Sequence, residues 1–97
     1  MSTEEMKTRI EELNIPSRYY SINGNIASDR YIFRQIYTYW ECFYIDERGN
    51  QNDYHRFGDE NDACEYFFRI LIFHCLMQLQ VIKWTFAILV KIMKEYI

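Results

Sequence analysis

Apolar and polar positions alternate most clearly in residues 39–47, YWECFYIDE. Trp40, Cys42 and Tyr44 fall on one side of an extended chain and Glu41, Phe43 and Ile45 on the other, since successive strand side chains point to opposite faces. Both sides are apolar, which predicts a central strand with a helix against one face. The run RYIFRQI, residues 30–36, is its expected antiparallel partner, joined by a tight connection near Tyr37-Thr38. Arg48-Gly49-Asn50 turns the chain, with Gly49 free to take the positive φ that other residues resist. QNDYHRF, residues 51–57, then reads as a short edge strand whose polar residues discourage further pairing. Upstream, RYYSIN (18–23) is rich in strand formers, and Asn23-Gly24-Asn25 is a turn signal.

Helical periodicity brackets these strands. Residues 3–13 place Met6, Ile10 and Leu13 on one face, with Ser2 or Thr3 as cap, Glu4 and Glu5 at the positive end, and Asn14-Ile15-Pro16 as the stop. Asp59 stands where a second cap belongs, followed by Glu60 and Asp62 and then by Ala63, Tyr66, Phe67, Ile70 and Phe73 or His74 at helical spacing. One helix from there to Ile97 would run about 58 Å, longer than a domain of this size is wide. A break is therefore expected near Gln78–Val81, with a further helix to about Lys94. The implied fold is α+β: one domain over 1–97, an antiparallel sheet of about four strands packed against helices, ending in a C-terminal helical segment.

Ninety-seven residues suffice for one core. The 49% hydrophobic and 19% aromatic content excludes a disordered chain. Residues 70–97 are very apolar, but His74, Gln78, Gln80, Lys83 and Lys91 interrupt them, so no clean run of about 20 apolar residues offers a membrane span. The alternative use of that segment is as the working part of a structural module in a homo-oligomeric or membrane-associated complex, with a homodimer contact through Trp84, Phe86, Ile88 and Leu89. Cys42, Cys64 and Cys75 contain no CxxC pair and are read as small core residues of a protein in the reducing cytoplasm.

The net charge of −3 is unevenly spread. Residues 39–73 hold the acids Glu41, Asp46, Glu47, Asp53, Asp59, Glu60, Asp62 and Glu65 against Arg48, Arg56 and Arg69. Such a cluster repels phosphate, so direct nucleic-acid binding is not expected, and a basic protein is the natural partner. The plain alternative is that Asp59, Glu60 and Asp62 only serve a helix terminus and the rest are solvated turn residues. The candidate partner-binding set is Glu41, Tyr44, Asp46, Glu47, Asp53, Tyr54, Glu60 and Asp62, flanking two turns that are expected to converge on one side of the sheet.

Catalytic signals are weak. Asp53 and His55 stand two apart on a strand, and Cys64 or Cys75 offers a thiol, but both cysteines lie among apolar helix positions. There is no Gly-rich phosphate loop, GxSxG elbow or metal-ligand spacing. No enzyme activity, cofactor or metal is expected. The aromatics Tyr19, Tyr20, Tyr31, Phe33, Tyr37, Tyr39, Trp40, Phe43 and Tyr44 exceed what one small core face can bury. A sheet covered by helices on one face and a partner on the other accounts for them better than a base-stacking RNA surface.

The stretch WECFYIDERG…FGDENDACEYFFRIL resembles small bacterial immunity proteins of polymorphic-toxin and contact-dependent growth inhibition systems. The matching positions are Trp40, Glu41, Phe43, Tyr44, Glu47, Arg48, Gly49, Phe57, Glu60, Ala63, Cys64, Tyr66 and Phe67, and YSINGN (20–25) resembles the group's first strand and turn. The resemblance covers about half the chain; residues 76–97 stand outside it. It implies a protein that binds and neutralises one cognate toxin, here with a basic, nuclease-like domain as partner.

Overall fold

The computed structural model describes residues 1–78 together with 91, 93 and 94. Helix α1 (Thr3–Glu12) is followed by a 3₁₀ turn (Ser17–Tyr19), strands β1 (Tyr20–Ile22), β2 (Arg30–Ile36), β3 (Tyr39–Ile45) and β4 (Gln51–Phe57), and helix α2 (Glu60–Gln78). The strands form one sheet in the order β1-β2-β3-β4, with helices on one face: an α+β fold. The expected break near Gln78–Val81 and the contact through Trp84, Phe86, Ile88 and Leu89 lie outside the described residues.

The sheet is mixed, which corrects the antiparallel expectation. β2 pairs with β3 and β3 with β4 antiparallel, but β1 runs parallel to β2, with Tyr20 beside Tyr31 and Ile22 beside Phe33. The Asn23-Gly24-Asn25 turn therefore opens a crossover rather than a hairpin. A connection as short as 23–29 suffices because β1 has three residues, so the chain returns over only about 10 Å. Asn23 pins both ends of the manoeuvre. Its N–H donates to the Phe33 carbonyl at 2.8 Å, and its side-chain oxygen accepts from the Gln35 N–H at 2.8 Å.

β3 is central, as its alternation predicts. Cys42 packs with Phe33 against Met6 and Ile10 of α1 and Ala63, Cys64, Phe67 and Leu71 of α2. Phe43 and Ile45 join Ile32 in a second buried cluster on the opposite face. Leu13 departs from the expected face: it forms the C-cap of α1 and stays 55% exposed, while Asn14 takes a positive φ of 56° to end the helix.

Both caps follow from the sequence. Ser2 Oγ accepts from the Glu5 N–H at 3.2 Å, and Asp59 Oδ2 from the Asp62 N–H at 3.0 Å. Glu60 ties the two helix starts together, since its Oε2 accepts from both the Thr3 hydroxyl (2.7 Å) and the Thr3 N–H (3.2 Å). No helix among the described residues is long and apolar enough to cross a membrane.

Candidate functional site

The eight candidate residues do not converge on one surface. β4 lies between the β3–β4 turn and the start of α2, and its length of seven residues separates Asp46 and Glu47 from Glu60 and Asp62 by about 20 Å. Several of the carboxylates are also engaged within the chain. Asp46 organises its own turn: Oδ1 accepts from the Arg48 N–H (3.0 Å) and the Asn50 N–H (2.8 Å), and Oδ2 from the Asn52 amide (3.2 Å). The Asn50 N–H, foremost among these bonds, holds the Asp46 carboxyl below its usual range. Gly49 closes the turn at φ 84°, its N–H donating to the Asp46 carbonyl at 3.0 Å. Glu60 is the helix tie already described.

Glu41 is buried rather than presented, at 7% exposure. Its Oε2 accepts from Arg34 Nε at 2.7 Å and its Oε1 from the Tyr54 hydroxyl at 2.9 Å. Burial pushes its pKa up, but the bonds from Arg34 and Tyr54 outweigh that and leave it lowered. Tyr54 is thus half spoken for, with its ring stacked on Phe43.

Asp53 moves for a different reason. The β3–β4 register slips between Cys42 and Tyr44, so Cys42 opposes His55 while Tyr44 opposes Asn52, and Asp53 takes a φ of 53°. This β-bulge breaks the strict alternation along β4 between Asn52 and His55. It brings Asp53 close enough to Tyr31 and Tyr66 to add to the burial that raises both phenols.

What the fold does bring together is a corner around Tyr44. Burial raises its phenol, and Asp29, Asp46 and Glu47, within electrostatic reach of it, raise it further. Tyr44 packs on Tyr31 at a centroid distance of 4.8 Å, and His74 of α2 lies against Tyr31 (5.0 Å), Tyr19 (5.4 Å) and Tyr44 (6.3 Å). Burial holds the imidazole below its ordinary pKa, so His74 is a neutral packing group at pH 7. The outcome is an aromatic floor in which Tyr44 lies within electrostatic reach of Asp29, Asp46 and Glu47, and Tyr31 within that of Asp53. Asp29 carries no signal in the sequence; the parallel β1–β2 crossover delivers it, at a φ of 59°.

Thiol chemistry is not favoured. Cys42 and Cys64 are fully buried, and burial pushes the Cys42 thiol up to about 12. Burial also raises Cys64 and Cys75. His55 Nδ1 is hydrogen-bonded to the Tyr66 hydroxyl at 2.9 Å. Among the described residues no cluster of His, Cys, Asp and Glu is arranged to hold a metal ion. Comparison with family models, curated proteins and solved structures returned no match to this chain.

Proposed function

We propose that this protein is an immunity protein: a stoichiometric inhibitor that binds a basic, nuclease-like toxin domain and covers its cleft or an adjoining surface in the cytoplasm of the producing cell. The observation that carries the reading is the corner at Tyr44, a partly exposed aromatic floor within electrostatic reach of Asp29, Asp46 and Glu47. Aromatic anchors bordered by carboxylates suit Lys and Arg side chains, and opposite charge accelerates encounter and fixes register. The resemblance carried by Trp40, Glu41, Glu47-Arg48-Gly49 and Ala63-Cys64 supplies the biological class. Asp46 belongs to the site through its position, yet its turn bonds make it a poor residue to mutate.

The test uses Glu47→Lys combined with Asp29→Asn, which changes charge at the corner while sparing the Asp46 bonds and tolerating the positive φ at 29. Affinity for the cognate toxin domain, sought in the gene immediately upstream and measured by calorimetry, should fall at least about tenfold with the amide spectrum unchanged. Unchanged affinity in a folded variant removes the proposal.

A second reading, a homo-oligomeric module, draws on a different observation. Phe73 is 63% exposed, and Leu76 and Met77 are also exposed on the same stretch of α2. Light scattering on the full chain decides it. A dimer converted to monomer by Phe73→Ser with Leu76→Ser supports this reading, and a monomeric wild type ends it.

A further inference from the structure

The sheet face turned away from α1 and α2 bears the opposite charge from the Tyr44 corner. Strand register sets Arg34, Glu41 and Arg56 in one row across β2, β3 and β4. Glu41 is the buried centre of the row and fixes Arg34 through its Nε, which leaves the two terminal guanidinium nitrogens for another acceptor. The neighbouring Arg56 guanidinium lies over the Tyr39 ring at 3.7 Å. Beside Arg34 lies a shallow polar cavity, wide open to solvent and about 390 Å³ in volume, bordered by Asn23, Gly24, Gln35 and Tyr37. The Asn23 side-chain oxygen is already taken by the Gln35 N–H, so its amide N–H₂ remains to donate. Among the described residues no carboxylate lines that cavity, and Glu41 reaches it only through Arg34.

We propose that the Arg34 cavity and the Arg34–Glu41–Arg56 row form a second docking surface, which receives carboxylate side chains from an acidic protein segment. The planar fork of a guanidinium matches a carboxylate in paired hydrogen bonds, and pre-positioning by Glu41 lowers the entropy lost on binding. Glu41 is thereby a positioning residue. An acidic peptide fits the row better than a nucleic-acid strand because the rings beneath its two guanidinium groups are covered. That leaves Tyr37 at the cavity rim without a neighbouring ring face in the row for successive bases to stack on. Arg56 covers Tyr39, while Phe43 is 2% exposed beneath Arg34 and Tyr54. The surface is independent of the toxin reading, being built on the opposite side of the sheet from the Tyr44 corner.

The experiment is an NMR titration of the full chain at low salt with a hexaglutamate peptide and, separately, a single-stranded oligouridylate. The peptide should shift the Arg34 and Arg56 Nε–H signals and the Asn23 side-chain amide. Arg34→Ala should weaken it at least about fivefold, as expected for a charge-assisted contact. Glu47→Lys with Asp29→Asn should not weaken it, which separates failure here from failure of the toxin proposal. Absence of shifts at millimolar peptide, shifts confined to other basic residues, or oligouridylate binding more tightly at the same signals each overturns the inference. Should Arg34→Ala disturb the amide spectrum, Arg56→Ala carries the same expectation.

Discussion

With both carboxylate oxygens bonded, Glu41 links three strands through side chains: Arg34 on β2, its own β3 and Tyr54 on β4. Arg34 keeps about a third of its surface exposed. The pair therefore falls between an exposed ion pair at up to ~1 kcal/mol and a buried one at ~3–5 kcal/mol, and Glu41→Gln should cost about 2 kcal/mol. The pH dependence follows from the direction of its shift. Its folded pKa lies below the ordinary carboxylate value, so its contribution is complete above that value and drains away as pH falls through the lowered one. Urea melts at pH 7 and pH 3 should show a smaller acid loss in Glu41→Gln than in the wild type, and equal losses would contradict this account. Tyr37 offers the opposite kind of test. It is 91% exposed and holds a positive φ of 53° in the β2–β3 turn. Because a left-handed conformation costs a bulky residue roughly 1 kcal/mol and Asn less, Tyr37→Asn should raise the unfolding free energy by up to about that amount.

At the scale of elements, α2 is held by its first three turns. Ala63, Cys64, Phe67 and Leu71 are fully buried against Phe33 and Cys42, with the Phe33 and Phe67 rings 5.3 Å apart. Phe67→Ala should cost about 3–5 kcal/mol, as for other aromatic truncations in a packed core. Native-state alkylation gives a matching readout. Cys75, which borders a cavity with Leu13, Ile15 and Tyr19, should react first, and Cys42 and Cys64 only as the domain unfolds. The elements were largely legible in the sequence. The alternation of 40–45 gave β3 and both its faces, the edge strand 51–57 falls where its polar run placed it, and Ser2 and Asp59 announced the helix starts. Two features were not legible. The parallel β1 depends on Asn23 reaching Phe33 and Gln35, long-range bonds with no local signature. The bulge at Asp53 has no glycine to mark it. For the site, the length of β4 was itself the overlooked signal, since a strand of that length holds the turns at its two ends apart.

Across the whole molecule these details produce a separation of charge. Asp29, Asp46 and Glu47 lie within electrostatic reach of Tyr44, which faces α2, and Arg34 and Arg56 stand on the other side of the sheet. A molecule so polarised orients itself in the field of a charged partner before contact, which raises the productive fraction of encounters without adding close contacts. That makes kinetics the sharper probe of the toxin proposal. Charges at the rim of an interface act mainly on the association rate, and exposed ones are screened beyond about 10 Å at 0.1 M salt. Stopped-flow association of the toxin domain with Glu47→Lys/Asp29→Asn should therefore be slower by about tenfold at low salt and converge on the wild-type rate as salt rises. Truncating the aromatic floor with Tyr44→Ala should act differently, raising the dissociation rate at every salt concentration, because a buried anchor contributes after docking. If the charge variant changed only dissociation, or its deficit persisted undiminished at 1 M salt, the carboxylates at Tyr44 would be close-contact groups or bystanders, and the steering role assigned to this corner would be wrong.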